Sequence, residues 1–140
     1  MHEKKFPGTL DSLAPVRAYV AEAARAAGLD SGRTYNLCLA VDEIATNIVL
    51  HGYQEVGLKG DIVIKASQDR DQLIIRVLDH GKTYYPDEVP EPDLENALKQ
   101  QPGGWGLFLG KTGVDQFEYS STDSGNVHRF VVHLTAEGRR

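Results

Sequence analysis

The stretch from Leu37 to Tyr53, LCLAVDEIATNIVLHGY, limits what this chain can become more than any other. Leu37, Val41, Ile44 and Ile48 recur at the spacing of one helical stripe, so the stretch reads as an amphipathic helix with a buried face. Glu43, Asn47 and His51 stand four residues apart, a spacing that stacks side chains one turn above the next. A carboxylate, an amide and an imidazole thus run along the edge of a face that should be buried. That is a costly place for polar groups unless they have partners or a function.

With 140 residues and 15.4 kDa, the chain is long enough for one domain with a proper core. Hydrophobic residues at 41% and charged residues at 25% argue against disorder. A net charge of -5 without a basic cluster argues against a nucleic-acid partner. The single Cys38 can form no internal disulfide and reads as a small buried hydrophobe in a reducing compartment. No run approaches the roughly 20 apolar residues of a membrane span, and MHEKKFPG lacks the apolar segment of a signal peptide. A cytoplasmic setting away from membranes is expected.

In chain order, Glu3 to Gly8 reads as an edge strand broken by Pro7 and Gly8. A helix begins with Asp11 or Ser12 as N-cap, carries Val16, Val20 and Ala24 on its apolar face, and ends at Gly28. Its alanines suit close helix packing. The second helix starts from Asp30 or Ser31 and runs to about His51, where Gly52 is expected to stop it. DIVIKAS (Asp61 to Ser67) and QLIIRVL (Gln72 to Leu78) read as strands joined by a hairpin at Asp69-Arg70-Asp71. The second strand leads into Asp79-His80-Gly81.

From Lys82 to Gly103, Pro86, Pro90, Pro92 and Pro102 mark a long loop, with a short helix across Asp93 to Gln100. Gly103-Gly104-Trp105-Gly106 then opens a helix from Leu107 to about Thr112. Strands near Gln116 to Ser121 and Val127 to Leu134 follow, joined by the turn Asp123-Ser124-Gly125-Asn126. Paired strands separated by helices predict an α+β fold, a two-layer sandwich of helices on one face of a mostly antiparallel sheet.

Three groups of residues could carry chemistry. Gly103, Gly104 and Gly106 before a helix leave backbone N–H groups at a positive helix end, which suits phosphate; they would equally serve as a joint closing the loop. Gly110-Lys111-Thr112 imitates the end of a phosphate loop, but Trp105 stands where the first glycine belongs and no strand leads in, so that reading is rejected. Asp79-x-Gly81 at a strand end either caps a turn or offers a carboxylate to a base amine while the backbone approaches the ring. On the helix, Glu43 and Asn47 offer oxygen ligands of the kind Mg²⁺ accepts, and a carboxylate one turn from a metal ligand is placed to take a proton. The plainer alternative leaves Glu43 solvated and His51 at the helix C-terminus.

The order of these features is more specific than any of them. A helix bearing E-x-x-x-N, a strand ending in D-x-G, a loop and GG-x-G before a helix together resemble the Bergerat-type ATP-binding fold of the GHKL superfamily. Within it the chain looks most like the stand-alone bacterial serine-protein kinase anti-sigma factors. LAVDEIATNIVLHGY, VLDHGKTYYP and GGWGLFLGKTGVDQFEYSSTDSGNVHRFVVHL carry the likeness, which spans essentially residues 1–140 as one domain.

The resemblance implies ATP and Mg²⁺ as cofactors, with Asn47 as the metal ligand and Glu43 as general base. It implies that Asp79 recognises the adenine amine, that Gly81 lets the ring approach, and that Gly104, Gly106 and Leu107 offer backbone N–H groups to the phosphates. The loop from Lys82 to Pro102 would be the lid. It further implies transfer of the γ-phosphate to a serine or threonine of an anti-anti-sigma (STAS-domain) partner, binding of a sigma factor, and homodimers as in relatives. His51 reads as structural. Many relatives carry an arginine where this chain has Trp105, which keeps a second function open: a nucleotide-dependent module that sequesters a regulator without phosphorylating it.

Overall fold

Alternation decides the sheet. In DIVIKASQ the side chains of Ile62, Ile64 and Ala66 face one way, and in QLIIRVLD those of Leu73, Ile75 and Val77 do the same. A computed structural model, which describes residues 2–82 and 114–134, buries both sets. They belong to strands β2 (Asp61–Gln68) and β3 (Gln72–Asp79). With β1 (His2–Pro7), β4 (Gln116–Thr122) and β5 (Gly125–His133) they form a five-stranded sheet in the order β1-β2-β3-β5-β4. All neighbouring pairs are antiparallel.

Helices α1 (Leu13–Ala26) and α2 (Ser31–Asn47) supply the second layer. Val16, Val20 and Ala24 of α1 and Leu37, Val41 and Ile44 of α2 join the strand residues in one buried cluster. The predicted α+β sandwich is therefore the observed fold. Cys38 is buried in the same cluster, and so are Ala24 and Ala40, both fully buried.

The helix ends partly follow the expected signals. Gly28 takes the left-handed conformation (φ 89°) just past α1. Asp30 caps α2, its carboxylate accepting from the Arg33 N–H at 2.8 Å. At the start of α1 the expected side-chain cap is absent. A 3₁₀ turn, Leu10–Ser12, leads into the helix instead, and neither Asp11 nor Ser12 caps it. The Asp11 carboxylate accepts from the Thr9 hydroxyl, within the turn.

Gly52 does not stop the second helix. After Asn47 the backbone widens into a π-helical segment, Ile48–Gln54, with Glu55 N donating to Leu50 O and Leu58 N to Tyr53 O, each at 2.9 Å. Glycine ends a helix when it adopts positive φ, and here that conformation falls to Gly57 (φ 69°). The Asp69 hairpin forms as expected, its carboxylate accepting from the N–H groups of Asp71 and Gln72 at 2.7 and 3.0 Å. Strand β5 begins earlier than the pattern suggested. Thr122 pairs with Gly125, so the connecting turn is only Asp123 and Ser124, and Asn126 lies in the sheet.

Candidate nucleotide site

Period-two alternation carries β3 inward through Leu73, Ile75 and Val77 and then places Asp79 on the same core-facing side. Its side chain is 2% exposed. A carboxylate so placed must be satisfied by donors. Oδ1 accepts from the backbone N–H of Gly81 at 2.8 Å and from Nδ2 of Asn126 at 2.9 Å. Oδ2 lies 3.2 Å from Nε2 of His128. Asn126 and His128 reach it because they occupy inward positions of β5, registered against Asp79 and Val77.

Asn126 is itself held. Its second N–H bond goes to the carbonyl of Gly81 at 3.0 Å, and its Oδ1 accepts from the hydroxyls of Tyr119 at 3.1 Å and Ser121 at 2.8 Å. The ring of His128 packs against Tyr119 with centroids 5.1 Å apart.

The end of β3 is fastened to the helical layer through backbone. The N–H of Lys82 donates to the carbonyl of Gly52 at 2.9 Å. A Cβ on Gly81 would stand 2.7 Å from the Gly52 oxygen, so only glycine permits this approach. Gly81 does not have positive φ, so the close approach rather than its backbone conformation calls for glycine, and Asp79 closes a turn onto the Gly81 N–H, as one of the two readings expected.

Tyr53 completes the joint. Its hydroxyl donates to the Asp61 carbonyl at 2.7 Å and accepts from the His80 N–H at 2.9 Å. Its ring lies in a slot where a Cβ on Gly8 or Gly60 would come within 2.6 or 2.7 Å of it.

Glu43 and Asn47 lie half-buried on α2, and Asn47 is its last residue before the π segment. Burial, and then the nearby charge of Asp42, raises the Glu43 carboxyl above its ordinary pKa. Asp42 is paired with Arg17 of α1 at 2.6 Å. The line of Glu43, Asn47 and His51 does not survive as one set. Widening after Asn47 takes His51 out of the four-residue register, and its Nδ1 lies 2.7 Å from the Glu55 carboxylate. Gly104, Gly106, Leu107, Trp105 and the expected lid fall outside the described residues.

Asn126, His128 and Tyr53 escaped the sequence reading. The first reads as part of a turn, and the other two as ordinary strand and helix residues. The signal for Asn126 and His128 was present in NVHRFVV, where two polar residues share a face with Phe130 and Val132. A cleft of about 760 Å³ lined by Gly8, Thr9, Tyr53, Leu58, Gly60 and Asp61 includes none of the expected site residues.

An antiparallel sheet covered on one face by helices, with a buried aspartate at the strand end that meets the helical layer, agrees with the GHKL-type ATP-binding fold that the sequence resembles. The chain belongs to the histidine kinase-like ATPase domain family, whose model matches residues 6–132. It is 30% identical over 104 residues to the serine/threonine-protein kinase BtrW of Bordetella bronchiseptica, covering 74% of this chain and 72% of that one. It is 32% identical over 101 residues to an anti-sigma F factor of a Thermoanaerobacter species, covering 70% and 68% respectively. The serine-protein kinase RsbW of Bacillus velezensis is 26% identical over 140 residues, covering 96% of this chain and 86% of its own length. Among solved structures, the histidine kinase domain of the blue-light-activated kinase EL346 from Erythrobacter litoralis superposes with a TM-score of 0.53 at 16% identity. That match covers 86% of this chain and 60% of that one, and it speaks to fold alone.

Proposed function

We propose that this protein is an ATP-dependent serine/threonine protein kinase acting as an anti-sigma factor, which phosphorylates a small anti-anti-sigma protein of the STAS class and thereby switches partners. The relatives named serine-protein kinase and anti-sigma factor support the activity. The observation that carries the site is the buried Asp79 carboxylate, held by three donors where β3 meets the helical layer.

The residues present fit a nucleotide and its metal. Asp79 is an acceptor in a dry setting, suited to an exocyclic amine of the base. Asn47 offers a single hard oxygen. That suits Mg²⁺, which keeps waters and phosphate oxygens as its main ligands. When bound, Mg²⁺ supplies neutralisation of phosphate charge.

Glu43 accepts the proton of the attacking hydroxyl. Partial burial makes its carboxylate a stronger base than one in water, as the direction of its shift indicates. Gly81 and Gly52 keep the backbone tight beside Asp79, and Gly104, Gly106 and Leu107 would offer N–H groups to the phosphates. The transferred phosphate would break the partner interface by its charge. A cytoplasmic setting and a homodimer belong to the same reading; no helix among the described residues is long and apolar enough to cross a membrane.

Incubation with γ-labelled ATP, Mg²⁺ and a cognate anti-anti-sigma protein should label a serine or threonine of that protein, and Glu43→Gln should abolish the labelling. Partner binding that depends on ATP without any transfer would favour the sequestering module instead, a reading motivated by Trp105 in place of an arginine.

A further inference from the structure

Asp79 is not a freely rotating acceptor. Both positions of Oδ1 are taken, by Gly81 N–H and Asn126 Nδ2, and one position of Oδ2 is taken by His128. A carboxylate oxygen offers about two acceptor positions. Among the described residues, one position at Oδ2 therefore remains. The amide of Asn126 has all four of its positions in use, which fixes its orientation: oxygen toward Tyr119 and Ser121, nitrogen toward Asp79 and Gly81. An imidazole facing a carboxylate presents N–H there, which sets Nε2 of His128 as the protonated nitrogen.

We propose that Asn126 and His128 are positioning residues for base selection: by filling the other positions of Asp79 they leave one acceptor, at Oδ2, and so select a purine bearing an exocyclic amine over one bearing a carbonyl. The inference rests on the reading that Asp79 receives the base. Three donors hold the buried group as an acceptor-only carboxylate, which repels a carbonyl oxygen. With the His128 donor removed, the carboxylate is less well stabilised in its buried setting. Oδ2 then has a second open position and the carboxylate can turn, so the single fixed acceptor is lost. Discrimination narrows.

The test titrates the full chain, in Mg²⁺, with ATP and with inosine triphosphate, for wild type, His128→Phe and His128→Gln. Phe keeps a ring against Tyr119, and Gln keeps an N–H near Nε2. The wild type should bind ATP at least about tenfold more tightly than inosine triphosphate, His128→Phe should bring the two within about threefold, and His128→Gln should restore the gap. A ratio unmoved by His128→Phe overturns the proposal, as does equal weakening of both nucleotides by Phe and Gln, which is what a merely structural role gives. If His128→Phe does not fold, Ser121→Ala, which loosens the Asn126 amide, should narrow the ratio in the same direction, and an unchanged ratio again overturns the proposal. A wild type that binds both nucleotides equally overturns the reading of Asp79 and this inference with it, an outcome distinct from discrimination that ignores His128.

Discussion

The Gly52 carbonyl oxygen lies 2.7 Å from the position a Cβ would take on Gly81, and the same oxygen accepts the Lys82 N–H at 2.9 Å. This contact joins the end of the helical run to the end of β3. It gives Gly81 a reason to be glycine that holds with or without a ligand.

The pair is asymmetric. Gly81→Ala forces backbone apart and should cost about 1–3 kcal/mol, with weakened MgATP binding because Asp79 shifts. A Cβ on Gly52 meets Lys82 O at 3.6 Å and Gly81 Cα at 3.8 Å, ordinary contacts. Gly52→Ala should then change stability by less than about 1 kcal/mol, a helix-favouring residue offsetting any crowding. Chemical denaturation of both variants checks the contrast; equal losses would contradict it.

Tyr53 bridges Asp61 and His80 through one oxygen. Tyr53→Phe leaves a carbonyl and an N–H unpartnered in a partly buried place, so the expected loss is about 1–3 kcal/mol. Because His80 adjoins Asp79, nucleotide affinity should fall as well. A variant as stable as wild type would show that water replaces the hydroxyl.

Glu43 carries both an activity and a stability prediction. Glu43→Gln should lower phosphate transfer by about 10²–10⁴-fold. Its pKa in the fold lies above the ordinary 4.5, so the folded state holds this proton more tightly than the unfolded chain does. The favourable contribution is fully present below pH 4.5 and is lost as pH rises through the higher folded value. At pH 7 the wild type therefore bears a cost that Gln lacks. Glu43→Gln should melt higher than wild type at neutral pH, and the gap should close on acidification toward about pH 4.5.

Arg33 ties α2 to the far side of the sheet. Its guanidinium donates to the His133 carbonyl at 3.0 Å and to Asp115 at 3.1 Å, and the same Asp115 oxygen accepts the His133 N–H at 2.7 Å. The group is partly exposed, so Arg33→Ala should cost only about 0.5–1 kcal/mol, less at high salt. Urea titrations at two ionic strengths measure it.

The sheet and the helical stripe were legible because alternation in DIVIKAS and QLIIRVL and the spacing of Leu37, Val41, Ile44 and Ile48 report burial directly. Asp79 and Gly81 were legible as a motif, but the physical reason for Gly81 was not, since a close approach to Gly52 depends on how two layers dock. The same limit hid the π segment. Gly52 reads as a stop signal locally, and only packing against β3 explains why the run continues through it. Asn126 was misplaced because Asp-Ser-Gly-Asn reads as turn throughout, whereas the hairpin closes on Asp123 and Ser124 alone and releases Asn126 into the sheet.

The central claim is that this domain holds ATP through Asp79. Isothermal titration of MgATP into the wild type and into Asp79→Asn, with each variant's fold verified by its thermal transition, tests it most directly. Saturable binding by the wild type that falls at least about tenfold in Asp79→Asn is the result expected from loss of a buried charged acceptor. Undiminished binding by a folded Asp79→Asn would place the base elsewhere and contradict the account.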